Sequence, residues 1–256
     1  LANDSNNTWL SYSDYSKFSG NDSLFVANIM PMYFRTLKNA LIENDWASAD
    51  SIVNYISKFQ NRYGSNIIPS DSKIKLEIFY NKIAIFANLF IYYTIVGLIF
   101  LILLIIKLFK SNRILNILIT VSMWLIILGF LAQTSGLIMR WVISGHAPWS
   151  NGYESMIYIA WATIFAGLIF GKRSLLSLAA TAIVSAMLLM VAHLNWLDPE
   201  ITNLVPVLKS YWLMIHVAII VASYGFLALG AILGFISLCI IIFTNKKNKA
   251  KLKDTL

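Results

Sequence analysis

The sequence predicts an all-α integral membrane protein: about five transmembrane helices behind a small, mainly helical extramembrane N-terminal region. Composition carries the first part of that expectation. Of 256 residues, 58% are hydrophobic and only 12% are charged, about half the roughly 25% charge of a soluble domain. Spacing carries the second part, because five apolar runs reach the about 20 residues that a helix needs to cross a hydrocarbon core. Charge distribution carries the third. The net charge is +8, yet residues 1–83 hold eight acids and eight bases, so the excess lies in residues 84–256, with twelve bases against four acids. Those bases cluster between apolar runs, which is the pattern that sets topology in a bilayer rather than one that binds nucleic acid.

The elements follow in order. Residues 1 to about 28 are rich in Ser, Asn and Asp and read as loop or edge strand. From Met30 to Asn44, and from Trp46 to Tyr63, apolar residues recur at three and four, with Ile52, Val53, Ile56 and Phe59 on one face; two short amphipathic helices are expected. Asn44-Asp45 between them is a stop and a cap. Gly64 to Lys73, with Pro69, is a loop, and a third helix starting near Ile74 is expected to run straight into the first span. The spans are placed at 84–106, 114–139, 153–171, 174–194 and 211–244. The N-terminal residues show neither the basic nor the apolar region of a signal peptide, and both ends of the chain read as cuts in something longer.

Orientation follows from the bases. Lys107, Lys110 and Arg113 separate the first two spans, Lys172 and Arg173 the next two, and Lys246, Lys247, Lys249, Lys251 and Lys253 follow the last; these ten fall on one side, leaving Arg140 and Lys209 on the other. The positive-inside rule then puts the N-terminal region outside and the C-terminus in the cytoplasm, as in the inner membrane of a bacterium with the N-terminal region in the periplasm. All three histidines, His146, His193 and His216, fall at the outer face. His216 precedes Lys246 by 30 residues. A helix of that length covers about 45 Å against a hydrocarbon thickness of about 30 Å, so His216 rides at or above the outer interface.

An imidazole at that depth has two readings, an interfacial side chain bonded to a loop, or an axial haem ligand. Its company favours haem: Trp212 lies one turn before His216, Tyr211 is adjacent, and Trp149, Tyr153 and Trp196 come from the outer loops. Within Gly145–Ser155, Gly145 permits a turn, Pro148 stiffens it, and Asn151 with Glu154 reads as an N-cap with its capping-box acid. Arg140 suits a haem propionate, and it equally suits a pairing with Glu154; both readings stay open. The lone Cys239, in an apolar run, excludes an intramolecular disulfide framework and a Cys-x-x-Cys pair.

Arg140-Trp141, Ser144-Gly145-His146-Ala147-Pro148, Ser150-Asn151, Tyr153-Glu154-Ser155, and later Pro206, Leu208, Ser210, Trp212-Leu213-Met214 and His216 together resemble the CcsA/ResC family of system II cytochrome c biogenesis, over about 114–244. The stretch around Ile78-Phe79-Tyr80-Asn81-Lys82 resembles the connecting part of fused forms in which a CcsB/ResB-type half comes first. The resemblance implies a haem-handling protein that delivers haem b, held transiently as cargo, to apocytochrome c at the outer face, with a CcsB/ResB-like partner. It implies an axial role for His216 and a pocket that includes Trp212, His146, Arg140, Trp149 and Tyr153. The family's tryptophan-rich motif and second outer histidine do not follow in this sequence, so the resemblance also implies that holocytochrome c synthase activity belongs to a complete protein and not to this chain alone.

The expected organisation is an extramembrane region 1–78, a first transmembrane connector 79–110, and the beginning of the CcsA-like part in 111–256. A non-enzymatic permease or scaffold, with the outer histidines and aromatics lining a substrate mouth, is the alternative. A respiratory cytochrome b subunit is disfavoured, because no histidine lies near a span centre.

Overall fold

A computed structural model describes residues 10–65, 67–109, 112–172, 174–194, 196–201 and 210–243. Every regular element among them is helical. The chain divides into two compact units, Leu1–Asp71 and Ser72–Leu256.

In the first unit a 3-10 turn, Tyr12–Lys17, leads into α1 (Asn21–Glu43), which is followed by α2 (Ala47–Gly64). The expected loop or edge strand before residue 28 is therefore a correction: α1 starts nine residues before Met30. Pro31 lies inside α1, where its missing N–H costs the helix one backbone hydrogen bond. The stop at Asn44-Asp45 is as expected. Asn44 adopts a left-handed conformation (φ 56°) and the Asp45 carboxylate accepts from the Ala47 N–H at 3.1 Å. Ile52 is buried, Ile56 is half-buried, and Phe59 stacks on Phe25 with ring centroids 4.6 Å apart. Val53, expected on that face, is exposed. Tyr63 clips α2 to α1 by donating its hydroxyl to Asp22 at 2.6 Å.

In the second unit α3 (Asp71–Ile83) is followed by α4 (Ile85–Phe109), α5 (Arg113–Ser144), α6 (Gly152–Gly171), α7 (Leu175–His193) and α8 (Tyr211–Phe243). Among the described residues five helices are long and apolar enough to cross a membrane, the first of them combining α3 with α4, and the protein is a multi-pass membrane protein. Two span expectations change. The second span continues past residue 139 to Ser144. The third helix does not run straight into the first span, because Ala84 sits between α3 and α4 at φ 46°, a left-handed conformation that costs about 1–2 kcal/mol in an L-residue. The carbonyl of Ile83, left over at that break, accepts from the Asn88 side-chain amide at 2.7 Å.

α7 packs against α4, α6 and α8, and its buried face is made of small residues: Ala179, Ala180, Ala182, Ser185 and Ala186. α6 answers with Ala160, Ala166 and Gly167. A Cβ at Gly167 would overlap the Thr181 side chain, and one at Gly225 of α8 would meet the Thr163 backbone at 2.8 Å. Close backbone approach of this kind replaces the hydrophobic drive that lipid removes. A polar link joins three of the helices. Buried Gln133 of α5 accepts from the Tyr93 hydroxyl of α4 at 3.1 Å and donates to the Ile157 carbonyl of α6 at 3.3 Å, which satisfies an amide that apolar surroundings would penalise. The outward faces of α4, α5 and α8 are large and apolar, including Ile117, Trp124, Leu128, Ile219 and Leu227, as lipid contact requires.

Alternation of the spans places the α5–α6 connection, the C-terminal end of α7 and the N-terminal end of α8 at one end of the bundle. That end holds all three histidines.

Candidate functional site

The histidine end is built around Arg140, in the last turns of α5. Its side chain has no solvent exposure, and the same is true of Glu154. Arg140 Nε donates to Glu154 Oε1 at 2.8 Å, Nη1 donates to the Pro199 carbonyl at 2.8 Å and to the Tyr80 hydroxyl at 3.4 Å, and Nη2 donates to the Glu200 carbonyl at 3.0 Å. Its guanidinium carbon lies 5.0 Å from the centroid of the Tyr153 ring. One side chain thus ties together α3, α5, α6 and the loop after α7. The planar five-donor fork of arginine is the group that can do so.

The local sequence explains how Glu154 arrives there. Gly145, at φ 76°, ends α5 with its N–H on the Trp141 carbonyl at 2.9 Å. Asn151 caps α6 by accepting from the Glu154 N–H at 2.8 Å, as its spacing predicts. The second carboxylate oxygen of Glu154 turns back to accept from the Ser150 N–H at 2.8 Å. The acid therefore closes its own cap and neutralises Arg140 with the other oxygen.

Between these two helices, His146 is half-buried with Nδ1 3.2 Å from the Ala147 carbonyl. Trp149 is half-buried; its indole N–H donates to the Met214 carbonyl of α8 at 3.2 Å, and its ring contacts Trp141 and Tyr158. The α5–α6 loop is thereby hooked to the second turn of α8. Two residues beyond Met214 stands His216, exposed, and Trp212, one turn earlier on the same face, is 78% exposed. Tyr153 is buried, with its ring edge-on to Phe86 at 6.5 Å.

The six residues singled out from sequence therefore fall into two groups. Arg140 and Tyr153 belong to the buried knot. Trp149 is bonded to α8, which carries His216 and Trp212, and His146 lies in the same loop. Among the described residues no hydrogen bond or ring contact joins Arg140 or Tyr153 to His216. Pro206 and Leu208, which helped to define the motif, lie outside the described residues, as do Lys209 and most of the lysines on which the expected orientation rests. Sequence reasoning missed Tyr80 and the carbonyls of Pro199 and Glu200 as partners of Arg140, since nothing in their local pattern marks them. It left His193 without a role; in the structure His193 is exposed and its ring stacks on Phe90 at 6.4 Å. No group of three His, Cys, Asp or Glu side chains comes together among the described residues.

A helical membrane protein with histidines and tryptophans gathered at one end is the class this architecture defines. Residues 149–256 match the family model described as Cytochrome C assembly protein. Protein NrfI of Wolinella succinogenes is 39% identical over 210 residues, covering 80% of this chain and 23% of NrfI. That alignment is about twice as long as the family-model segment and so reaches well before Trp149. Cytochrome c biogenesis protein CcsA of Prochlorococcus marinus strain MIT 9303 is 38% identical over 136 residues, 51% of this chain and 41% of that protein. The CcsA of Aethionema cordifolium is 37% identical over 139 residues, 50% of this chain and 42% of the relative. The chain is thus similar to cytochrome c assembly proteins of the CcsA family, and it spans less than half the length of each of these relatives.

Proposed function

We propose that the chain handles haem for cytochrome c assembly, presenting it at the outer face of the bacterial inner membrane for attachment to apocytochrome c. The observation that carries this reading is the exposed pair on α8. His216 offers an unencumbered imidazole, and Trp212 lies one turn away on the same helix face with its ring open. A neutral imidazole gives a lone pair to iron, and an indole beside it covers part of a macrocycle. The residues of the α5–α6 loop position that face. Trp149 holds α8 through Met214, and the Arg140–Glu154 pair holds the loop from which Trp149 reaches.

In this reading the cargo is haem b, whose vinyl groups are free until it meets the cysteines of the apocytochrome. The chain itself contributes a ligand, a stacking surface and a rigid end to the bundle. The bond-forming chemistry belongs to a larger assembly that includes a CcsB/ResB-like partner, and residues 1–78, 79–110 and 111–256 correspond to the end of that partner part, a connector and the start of the CcsA-like part. The ten clustered bases support an orientation with this end outside and the C-terminus in the cytoplasm.

The experiment is replacement of His216 by alanine in the full-length protein, read by the haem absorption spectrum and by holocytochrome c yield. Because the imidazole is exposed, folding and insertion are expected to be unaffected while haem retention falls. Unchanged spectrum and yield would refute the assignment.

A further inference from the structure

Helix α1 of the N-terminal unit is apolar on two sides, and α2 covers only one of them. The inner side carries Phe25, Val26 and Ala40, with Phe25 stacked on Phe59 of α2. The outer side carries Leu24, Phe34, Leu41 and Ile42, each more than half exposed. Their spacing makes a face of them. Leu24, Pro31, Phe34 and Leu41 follow one another at seven, three and seven residues, which is one stripe of a helix that turns every 3.6 residues. A single exposed leucine needs no explanation, but large apolar side chains kept in line over about five turns mark a surface that something covers.

The charges of α1 are sorted in the same sense. Its two acids stand at its ends and off the stripe: Asp22 accepts from the Tyr63 hydroxyl of α2, and Glu43 is the last residue. Its two bases, Arg35 and Lys38, are exposed and make no ion pair among the described residues. Lys38 lies within the stripe, four residues after Phe34 and three before Leu41, and Arg35 flanks it, four residues after Pro31. Under an apolar protein surface that unpaired ammonium would be costly to desolvate. At a bilayer surface it costs little, because its stem lies along the apolar side chains while its head reaches the lipid phosphates.

The chain itself brings such a surface near. Six residues, 65–70, separate α2 from Asp71, where the first membrane-crossing helix begins, a reach of at most about 20 Å. A bilayer is thereby held before this unit at high effective concentration. We infer that α1 is an interfacial helix, lying on the membrane with Leu24, Phe34, Leu41 and Ile42 at the boundary of headgroups and acyl chains and with Arg35 and Lys38 on the phosphates of anionic lipids. The α2 side of α1 then faces away from the lipid, and the unit serves as a peripheral anchor that keeps the extramembrane part of the chain at the bilayer surface. This inference does not depend on the haem-handling reading.

The test uses the full-length protein in phosphatidylcholine nanodiscs with and without phosphatidylglycerol, in a background freed of Cys239 and any other native cysteine. A nitroxide is placed at Phe34→Cys, at Leu41→Cys or, as a control, at Asn54→Cys, an exposed position on the face of α2 opposite Ile52 and Ile56. With phosphatidylglycerol present, relaxation at 34 and 41 should respond more to oxygen than to a water-soluble nickel chelate, and at 54 the reverse. Arg35→Gln and Lys38→Gln should each lower the docked-to-free ratio about fivefold, as loss of one base beside an anionic surface does. Leaving out phosphatidylglycerol should act like both substitutions together. Phe34→Asp should release the label at 41 to water and leave the spectrum at 54 as it was, which shows that the unit stays folded. Labels at 34 and 41 that respond more to the nickel chelate would leave the stripe in water, and labels shielded from both reagents would place it under a protein partner; either result overturns the inference. So would an oxygen response that neither the glutamine substitutions nor the headgroup charge alters.

Discussion

Arg140 and Glu154 form an ion pair at 2.8 Å with both side chains wholly buried, and it joins the end of α5 to the start of α6. Removing two charges from solvent is costly, and such a pair holds only when its remaining hydrogen-bonding groups are satisfied. Here they are, by Tyr80, Pro199, Glu200 and Ser150.

Arg140→Gln should therefore destabilise the bundle by about 3–5 kcal/mol, the cost of leaving one buried charge alone. Thermal unfolding in detergent, followed by near-UV circular dichroism, measures it. Arg140→Gln with Glu154→Gln should recover part of the loss, since no isolated charge remains; a double variant as unstable as the sum of the two single ones would show that the pair is not coupled.

Trp149→Phe keeps a ring in the loop and deletes the N–H that reaches Met214. A net loss of about 1 kcal/mol is expected, concentrated at the start of α8. Hydrogen–deuterium exchange over residues 210–218 should rise while exchange in α6 and α7 stays as it was. Uniform or unchanged exchange would mean that the indole does not position α8.

In the N-terminal unit, Ile52→Ala should cost about 2–4 kcal/mol, as cavity formation in a small core does, whereas Val53→Ala should cost little because Val53 is exposed. Limited proteolysis between residues 44 and 65 separates the two. Equal sensitivity would place both side chains in the same environment.

The topology is tested by single cysteines at Lys172→Cys and Asn248→Cys in a Cys239→Ser background. The split of the basic residues predicts that neither labels with an impermeant reagent in intact cells. Outer labelling of either would invert the assignment.

The spans were legible because lipid selects on hydropathy over about 20 residues, a signal that survives any detail of packing. The cap at Asn151 was legible because it is made by residues three apart. Arg140 was legible only as a choice between Glu154 and a propionate. The choice depends on Tyr80, Pro199 and Glu200, each about sixty residues distant, and on the burial that their convergence creates. Gln133 was passed over for the same reason, since its partners Tyr93 and Ile157 sit on other helices. The break at Ala84 carries no Gly or Pro to announce it, so a cleft that opens beside it had no signal in the sequence. The start of α1 was read as loop because residues 1 to about 28 are rich in Ser, Asn and Asp, and Asn21, Asp22 and Ser23 lie instead in its first turn.

The central claim, that His216 presents haem iron for cytochrome c assembly, is tested most directly by the holocytochrome c yield and haem spectrum of full-length His216→Ala beside those of His193→Ala. The account predicts a normally inserted His216→Ala protein with an altered haem spectrum and a yield well below that of wild type. Normal haem and normal yield in His216→Ala, with both lost in His193→Ala, would contradict it.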